Sequence, residues 1–346
     1  MSSQALTGKL FALLVAAQGA RAGWRPFISG VQLAQQLGVT RGAIWKAVDQ
    51  LRAVGLGIEA VPRQGYRLTN PCSSLNREAI LNALPDHLRG RLREGHCQWQ
   101  LPSTNAALLA CGNLQPGQFD FLTAELQSAG RGRRGRQWLA PPGGALCLSW
   151  SWSFDVLPPQ GGALGLMIGV TALRALRDLG IDGVRLKWPN DLISRHGKLG
   201  GILVELRSES GGPLHLVCGV GINLQLPASV IDAVATSGNQ ATDLRQLTAH
   251  LPNRSQLAAA LVQHGIAGLQ QFEHAGFEPF RADFEAADAL HDLPVIARGA
   301  AGDLHGTARG IDADGALLIN TVDGLQRVLS ADVSVRPAAL TLAGLA

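Results

Sequence analysis

The most unusual stretch of the sequence is an arginine- and glycine-rich segment, GRGRRGRQW, at Gly130–Trp138. Glycines let backbone N–H groups approach an anion closely, and arginines clamp phosphate or carboxylate with two parallel hydrogen bonds. The segment opens no predicted helix and lacks the Lys-Ser/Thr pair of a P-loop, so neither common mononucleotide motif applies. The pattern predicts an anion-binding loop; nucleic-acid binding and a merely solvated loop are the alternatives.

Lysine is scarce in this chain, which makes its positions informative. Of the 30 basic residues only four are lysines, and two of these begin neighbouring motifs. Lys187 opens KWPNDL, where Asn190 and Asp191 beside a proline are ordinary turn residues. Lys198 opens KLGGILVELR, whose two glycines leave space for a ligand against a strand. Because arginine fills nearly every other basic position, these two ammonium groups indicate chemistry that a planar guanidinium does not perform.

Two further segments place small or polar residues at the edges of apolar patterns. GVGINL, Gly219–Leu224, has glycines inside a predicted strand that ends on Asn223. Ser103, Thr104 and Asn105 begin a predicted helix and offer hydroxyls and backbone donors at its N-terminus. Helix capping alone would account for Ser103.

Apolar periodicity indicates which elements hold these motifs. Helices are predicted at 163–178 and 255–274, and strands at 121–126, 145–152, 184–188, 199–206 and 214–221. Several of these strands follow one another without an intervening helix, which favours an α+β sheet over a doubly wound one. Short apolar runs within 292–336, separated by Gly and Asp turns, predict a small C-terminal β-barrel.

The N-terminal part has the pattern of a winged helix-turn-helix. After a helix predicted at 5–17, Ser29 and Thr40 are expected to cap two short helices joined by a turn at Gly38. Their predicted buried faces are Val31, Ala34 and Leu37 in the first helix and Ile44, Val48 and Leu51 in the second. The segment IEAVPRQGYRL, with Arg63 at its turn, then predicts a β-wing.

The charge distribution indicates an anionic partner for this N-terminal part. The chain has a formal net charge of +4, but residues 1–72 hold eight Lys/Arg against two acidic residues, so they carry +6 and the remainder −2. Arg41 and Lys46 lie off the buried stripe of the second helix, and with Arg63 they are the predicted DNA contacts. A helical hairpin that serves packing alone, with solvated surface charge, is the alternative.

The overall composition indicates where in the cell the protein is expected and whether it is globular, disordered or membrane-spanning. With 46% hydrophobic and 16% charged residues, the chain is expected to form globular cores and not to be disordered. No apolar run approaches the roughly 20 residues of a membrane span, and MSSQALTGKL lacks the features of a secretory signal. The five scattered cysteines form no C-x-x-C pair. We expect a cytoplasmic protein with reduced thiols, no structural metal and no membrane contact.

Taken in order, STN, Q-x-A-GRGRRGR-x-W, KWPND, KxGGIL(V)E and GxGIN resemble the motifs of the biotin protein ligases. The likeness spans nearly the whole chain, including GTARGIDADGALLI at Gly306–Ile319, and the winged helix is similar to that of the bifunctional biotin operon repressors. The resemblance implies a multidomain chain with a winged helix-turn-helix at 1–72, an α+β catalytic domain similar to class II aminoacyl-tRNA synthetases at 73–290, and a small SH3-like β-barrel at 291–346.

The resemblance also implies an activity. Biotin protein ligases make biotinyl-5′-AMP from biotin and MgATP and transfer biotin to a lysine of a biotin carboxyl carrier protein; the repressors bind operator DNA, here expected as a homodimer carrying biotinyl-AMP. Lys198 and Arg133 are the implied catalytic residues. The implied biotin-binding residues are Ser103, Thr104, Asn105, Gln127, Arg131, Gly132, Arg133 and Lys198, and the implied ATP-binding residues are Arg136, Trp138, Lys187, Asn190, Asp191 and Asn223.

Two features depart from the family pattern. Pro102 stands where the family has an aspartate before STN, and the segment after Asn223 contains no tryptophan to stack on adenine. Two other functions stay open at this point: a lipoate- or octanoate-type protein ligase, and a biotin-sensing repressor that has lost ligation. The arginine loop argues against the first, and the presence of Lys198 and Arg133 argues against the second.

Overall fold

The structure, a computed structural model, contains a two-stranded wing, a seven-stranded mixed sheet and a five-stranded antiparallel sheet, in chain order. It describes residues 2–18, 26–112, 114–156, 158, 160–208, 213–236, 240–299, 302–329 and 333–337. The segments 19–25 and 338–346, which the sequence assigns to the first and third domains, lie outside the described residues. The order of a helical part with a wing, a mixed sheet and a β-rich end is the predicted one.

The N-terminal part consists of α1 (Ser3–Ala16), α2 (Gly30–Leu37), α3 (Arg41–Ala53), β1 (Ile58–Val61) and β2 (Gly65–Leu68). Ser29 caps α2 in a capping box with Gln32, and Thr40 caps α3 by accepting from the Ala43 N–H. Between them Gly38 has φ +63°, which ends α2 in the left-handed conformation that glycine adopts without strain. The predicted caps and turn are therefore confirmed.

The buried face of α3 is also as predicted, whereas that of α2 is not. Ile44, Val48 and Leu51 are buried, while Arg41, Trp45 and Lys46 are exposed. In α2, however, Val31 is 45% exposed and Leu33 is fully buried. The prediction for Val31 was wrong because α2 packs its Leu33–Ala34 face against α1 and α3, and Val31 in the first turn projects to solvent.

The central sheet has the strand order β3-β4-β5-β9-β8-β7-β6, and all its neighbours are antiparallel except β3 and β4. Its strands are β3 (Leu92–Leu101), β4 (Phe119–Gln127), β5 (Ala145–Phe154), β6 (Arg185–Lys187), β7 (Asp191–Ser194), β8 (Gly197–Ser208) and β9 (Leu214–Asn223). The helices of this part are α4 (Arg77–Ala83), α5 (Asp86–Arg89), α6 (Thr104–Ala110), α7 (Leu164–Asp178), α8 (Ala228–Ala235), α9 (Arg254–Ala275) and α10 (Glu278–Ala287).

Strand β5 shows how the sheet separates a core face from a polar face. It is buried along its whole length, and its sequence ALCLSWSWSF alternates large apolar with small residues. Trp150, Trp152 and Phe154 belong to the main hydrophobic core with residues of α7 and α9. The intervening serines, which include Ser149, face the other side of the sheet, where α6 lies. That second face holds the candidate site.

The C-terminal part is a five-stranded antiparallel sheet of order β13-β12-β11-β10-β14. The strands are β10 (Pro294–Gly299), β11 (Gly302–Ile311), β12 (Leu317–Thr321), β13 (Gly324–Val328) and β14 (Val333–Pro337). Its buried residues, such as Val295 and Ile319, are continuous with the core of the central part, whereas the winged helix has a core of its own. Within the described ranges, no helix combines the length and apolarity that crossing a membrane requires.

The winged helix contacts the central part through two groups of residues. On one side, Trp99 of β3 packs against Phe11 with ring centroids 5.3 Å apart, and its indole N–H donates to Thr7 Oγ1 at 3.1 Å. On the other, the Gln225 side chain donates to the Pro71 carbonyl at 2.6 Å. A Cβ placed on Gly55, directly after α3, would lie 3.1 Å from Pro141 and 3.9 Å from Val230 of α8. Pro71, which follows the wing, and Gly55, which follows α3, thus lie against segments that flank the cavity.

Candidate functional site

A cavity of about 560 Å³ opens beside the polar face of the central sheet. Six cationic side chains and one carboxylate, Asp191, line it, and this surplus of positive charge suits an anionic ligand. All fourteen residues that the sequence assigned to biotin and ATP line this one cavity: Ser103, Thr104, Asn105, Gln127, Arg131, Gly132, Arg133, Arg136, Trp138, Lys187, Asn190, Asp191, Lys198 and Asn223.

One end of the cavity is formed by the N-terminus of α6. Ser103 caps this helix, its hydroxyl accepting from the Ala106 N–H at 3.4 Å, as the capping interpretation predicted. The backbone N–H and the hydroxyl of Thr104 both donate to Gln127 Oε1, at 2.7 and 3.1 Å. Residues from α6 and β4 are thereby fixed to each other, although 23 positions separate them in the chain.

Ser149, which sequence analysis did not select, connects this end of the cavity to β5. It is fully buried, and its Oγ lies 2.7 Å from Thr104 Oγ1 and 2.5 Å from Asn105 Oδ1. A signal was present in the sequence, because serines that alternate with tryptophans in a strand buried on both faces need polar partners.

The glycines of β8 and β9 allow other parts of this chain to approach closely. A Cβ on Gly219 would lie 2.2 Å from Asn105 Oδ1, and one on Gly221 would lie 2.6 Å from the indole of Trp138. A Cβ on Gly200 would lie 2.5 Å from the Gly221 carbonyl oxygen. The sequence pattern predicted that these glycines leave space for a ligand. In the structure Asn105, Trp138 and neighbouring backbone fill most of that space, and they form the wall that a ligand contacts.

At the centre of the cavity Asp191 holds both of the lysines that the sequence singled out. Its Oδ1 lies 2.5 Å from Lys198 Nζ, and its Oδ2 lies 4.0 Å from Lys187 Nζ. The preceding residue, Asn190, fixes this turn to β8, because its side-chain amide donates to the Ile202 carbonyl at 2.8 Å and its own carbonyl accepts from the Ile202 N–H at 2.9 Å. The turn is thus rigidly held where two cations meet one carboxylate.

The arginine loop closes on itself and reaches this turn. The Gly132 N–H donates to the Arg136 carbonyl at 2.7 Å, and Arg133 NH1 lies 3.5 Å from Asn190 Oδ1. The sequence predicted no helix here; the loop contains one 3₁₀ turn at Arg133–Gly135, with Arg134 at φ +58°. Burial lowers the pKa of the Arg133 guanidinium, while nearby Asp191 acts in the opposite direction, so Arg133 is a partly desolvated cation that gains by meeting an anion.

The other end of the cavity is bounded by Asn223 and by aliphatic side chains. Asn223 Nδ2 donates to the Thr242 carbonyl at 3.0 Å. Leu226 and three residues of α8, Val230, Ala233 and Val234, line the wall beyond it. The structure describes residues 224–236 and 240–243 of the segment in which the sequence lacked a tryptophan, and not 237–239. In the described part of this segment, the residues that line the cavity are all aliphatic.

The predicted DNA-binding residues form a separate group on the winged helix. Arg41 and Lys46 are exposed on α3, and Arg63 is exposed in the turn of the wing with φ +68°. None of these three lines the cavity. Over the ranges that the structure describes, no cluster of three His, Cys, Asp or Glu side chains could hold a metal ion.

Three family models match consecutive parts of the chain. Residues 24–67 match a helix-turn-helix (HTH) domain, residues 100–223 match the biotin/lipoate A/B protein ligase family, and residues 293–336 match the biotin protein ligase C-terminal domain. Each match falls on one of the three parts described above.

Curated relatives extend the similarity over almost the whole chain. The chain is 38% identical to the bifunctional ligase/repressor BirA of Escherichia coli over 316 residues, which cover 90% of this chain and 94% of the relative. It is 29% identical to the bifunctional ligase/repressor BirA of Bacillus subtilis over 89% of this chain and 94% of the relative. Among solved structures, the biotin protein ligase of Aquifex aeolicus in complex with biotin and ATP superposes with a TM-score of 0.60 at 26% identity, covering 71% of this chain and all of that one.

Proposed function

Since this chain belongs to the biotin protein ligase family and matches its bifunctional ligase/repressors over 90% of its length, we propose that the cationic cavity makes biotinyl-5′-AMP and that the winged helix binds operator DNA to repress a biotin operon. The protein is a biotin–[carboxyl carrier protein] ligase and a DNA-binding repressor. One observation carries the assignment of the site: Asp191 holds Lys187 and Lys198 between the two ends of a single cavity.

Adenylation is the first step in this cavity. The biotin carboxylate attacks the α-phosphate of MgATP, a new P–O bond forms, and the bond to pyrophosphate breaks. Two anions must approach each other, so cations that neutralise the developing charge are the main requirement and no protein nucleophile is needed. In this proposal Lys198, held by Asp191, neutralises charge beside the reacting carboxylate, and Arg133, whose NH1 lies 3.5 Å from Asn190 Oδ1, supplies a second cation. A compact ammonium fits between carboxylate and phosphate, where a guanidinium is wider.

The two ends of the cavity divide the substrates between them. Ser103, Thr104, Asn105 and Gln127 bind biotin, together with Arg131–Arg133 and Lys198. Arg136, Trp138, Lys187, Asn190, Asp191 and Asn223 bind ATP. Support comes from the polar network at the N-terminus of α6, which suits the ureido ring of biotin, from the two lysines between the ends of the cavity, which suit a carboxylate and phosphates, and from the aliphatic wall at the far end, which suits a base.

In the second step a lysine of the biotin carboxyl carrier protein attacks the acyl carbon of the adenylate. Its amine forms the amide bond and loses a proton, and AMP leaves with the electron pair of the broken C–O bond. The arginine loop, which lines the cavity, shields the mixed anhydride from water in this proposal until the carrier arrives. Arg133, partly buried in this loop, is placed to hold the phosphate of the intermediate.

The finer architecture is also a proposal. We assign the winged helix to residues 1–72, a catalytic domain related to class II aminoacyl-tRNA synthetases to 73–290, and an SH3-like barrel to 291–346. A largely antiparallel seven-stranded sheet supports the second assignment, and five short antiparallel strands support the third. A cytoplasmic location fits a protein whose partners are operator DNA and a carrier protein.

Repression requires a dimer in this proposal, because one winged helix contacts too little DNA for high specificity, whereas a two-fold dimer on a palindromic site contacts twice as much. A free sheet edge supports it: β7 pairs with β8 only as far as Gly201, so the outer edge of β8 from Val204 to Leu206 has no strand partner among the described residues. Such an edge can pair with another copy. Biotinyl-AMP favours the dimer and thereby strengthens DNA binding.

The test is incubation of the protein with biotin, MgATP and an apo carrier domain, read by the mass of the carrier. We expect a mass increase of one biotinyl group that requires ATP. The same experiment with lipoate or octanoate tests for the rival ligase activity, which the polar network at the α6 end of the cavity disfavours. Biotin binding without biotin-dependent pyrophosphate release would leave a sensor that does not ligate.

A further inference from the structure

The side-chain amide of Asn105 has its orientation fixed by two neighbours. Its Nδ2 donates to the Leu203 carbonyl at 3.1 Å and to Glu205 Oε2 at 2.9 Å. A backbone carbonyl and a carboxylate are acceptors only, so both require the NH₂ side of the amide to face them. Since an amide nitrogen has two hydrogens, these bonds use its full donor capacity.

The oxygen of the same amide must therefore point the other way, toward the cavity. Asn105 Oδ1 lies over Gly219, which lines the cavity, and 2.5 Å from Ser149 Oγ. An amide oxygen has two lone pairs, and Ser149 has a single hydrogen that it also shares with Thr104 Oγ1 at 2.7 Å. At this point the cavity wall keeps capacity to accept a hydrogen bond and none to donate one.

Glu205 has a second partner that connects this amide to the arginine loop. Arg131 NH2 lies 3.3 Å from Glu205 Oε1. The Arg131 side chain is nearly half exposed, so the ion pair itself contributes little stability. The bond to Asn105 differs, because Asn105 is buried and a lost partner there leaves a polar group unsatisfied. Glu205 does not line the cavity and acts on it through Asn105.

We propose that Glu205 is a positioning residue for acyl-group selection: it holds Asn105 so that Oδ1 accepts an N–H of the cyclic urea of biotin. This inference rests on the proposed function and assigns part of its substrate preference. A lipoyl or octanoyl group has no N–H to donate, so it would leave Oδ1 desolvated without a partner. A site built to hydrogen-bond a polar group rejects an analogue that lacks the group much more strongly than an apolar pocket rejects a change of shape.

The test compares Glu205→Leu, which removes the acceptor, with Glu205→Gln, whose carbonyl can still accept from Asn105 Nδ2. Biotin-dependent ATP–pyrophosphate exchange gives the KM of each substrate and kcat. We expect Glu205→Leu to raise the KM for biotin about tenfold, the scale of one hydrogen bond, with little change in the KM for ATP. Glu205→Gln should restore most of the affinity for biotin. Glu94→Leu, the same change at an exposed residue of β3, is the matched control.

A second measurement distinguishes positioning from a general structural role. The wild type should bind biotin more tightly than a biotin derivative methylated on one of its two ureido nitrogens, and Glu205→Leu should reduce that preference. If the Leu variant does not fold, Glu205→Ala replaces it in both measurements. An unchanged KM for biotin, equal increases in both KM values, or an undiminished preference over both N-methyl derivatives would overturn the proposal. A wild type that makes no biotinyl-AMP would instead overturn the proposed function.

Discussion

Lys198 Nζ and Asp191 Oδ1 lie 2.5 Å apart on the neighbouring strands β8 and β7, inside a cavity that has no other carboxylate in its described wall. Asp191 also lies 4.0 Å from Lys187 Nζ, so one carboxylate serves two cations in the absence of substrate. When phosphate and carboxylate groups enter, they add negative charge beside the two lysines and can replace Asp191 as the partner of Lys198. The ion pair therefore keeps Lys198 in place before the reaction and leaves it able to exchange partners.

From this arrangement we expect Lys198→Ala to reduce adenylate formation by about 10²-fold or more, the scale of losing one preorganised charge-stabilising donor. Lys198→Arg should recover little of the activity, because the planar guanidinium does not fit the position of the ammonium. Biotin-dependent pyrophosphate release measures both variants. Turnover of the Ala variant near that of the wild type would show that Lys198 only stabilises the Asp191 turn.

The arginine loop should govern how long the intermediate is kept. Arg133→Gly removes the partly desolvated guanidinium while the remaining loop can still close, so biotinyl-AMP should be made but released faster. Free adenylate would then biotinylate stray lysines on unrelated proteins. Trapping of labelled adenylate gives the release rate, and a rate equal to that of the wild type would contradict a shielding role for the loop.

A hydrogen bond between the central and C-terminal parts should help adenylation by holding the turn that carries Asn190 and Asp191. The fully buried indole of Trp188 donates to the Gly315 carbonyl at 3.0 Å, at the start of the turn that holds Asn190 and Asp191. Trp188→Phe keeps an aromatic ring but leaves that carbonyl unpaired, which costs about 1–3 kcal/mol. We expect a lower kcat for adenylation with the Kd for biotin nearly unchanged, measured by pre-steady-state kinetics and calorimetry. Weaker biotin binding in step with kcat would indicate a general loss of folding instead.

The winged helix should be required for DNA binding and dispensable for ligation. A fragment starting near Ser73 keeps every residue of the cavity, so it should ligate biotin, whereas its specific DNA binding should vanish. Removal of residues 1–72 also removes the ring contact of Trp99 with Phe11 and the hydrogen bond of Gln225 to the Pro71 carbonyl. We therefore expect the fragment to have a lower Tm than the intact chain.

In the intact chain, Arg41→Ala and Lys46→Ala should separate DNA binding from biotin ligation without truncating the protein. Both side chains are exposed on α3, so each change should weaken operator binding and reduce its dependence on salt while leaving ligation unchanged. Gel-shift titrations at several salt concentrations measure the effect. If the intact protein and the fragment starting near Ser73 bound operator DNA equally and without dependence on salt, the winged helix would have no assigned role.

The thiols should differ widely in reactivity. Burial raises the pKa of Cys147, which lines the cavity, to about 12, and burial also raises the pKa of Cys218. The reactive thiolate is scarce well below the pKa, so neither should be alkylated by iodoacetamide at pH 8 in the folded protein. Exposed Cys111 should react. Peptide mass spectrometry after alkylation identifies the sites, and rapid labelling of Cys147 would show that the thiolate forms readily in the cavity.

Local sequence signals predicted those features that depend on local interactions. The caps at Ser29 and Thr40, the turn at Gly38 and the buried stripe of α3 are determined by residues within one or two helical turns, and the structure has them. The direction in which Val31 points depends on how α2 packs against α1 and α3, so the apolar periodicity wrongly predicted that it is buried. Strand β3 was not predicted because its sequence, LREGHCQWQL, is polar and partly exposed.

In the site, the motifs identified the lining residues but not the residues that hold them. Ser149 meets Thr104 from 45 positions away, Glu205 meets Asn105 from 100 positions away, and Trp188 meets Gly315 from 127 positions away. Such pairs arise only when β5, β8 and the C-terminal sheet come together, and a single sequence carries no signal of which distant partner each will meet. The motifs were found because the residues that line the cavity cluster along the chain, whereas the residues that support them do not.

The half-buried indole of Trp138, packed over Gly221 in the wall of the cavity, gives the protein an optical probe of its own. Trp150, Trp152 and Trp188 are each 1% exposed and sense little of the solvent, while Trp45 projects from α3 with 58% of its surface exposed. Indole emission shifts toward the blue when water is excluded. Ligand binding in the cavity would therefore change the emission of Trp138, whereas DNA binding would change that of Trp45. A single emission spectrum of the unlabelled protein thus carries information on both events.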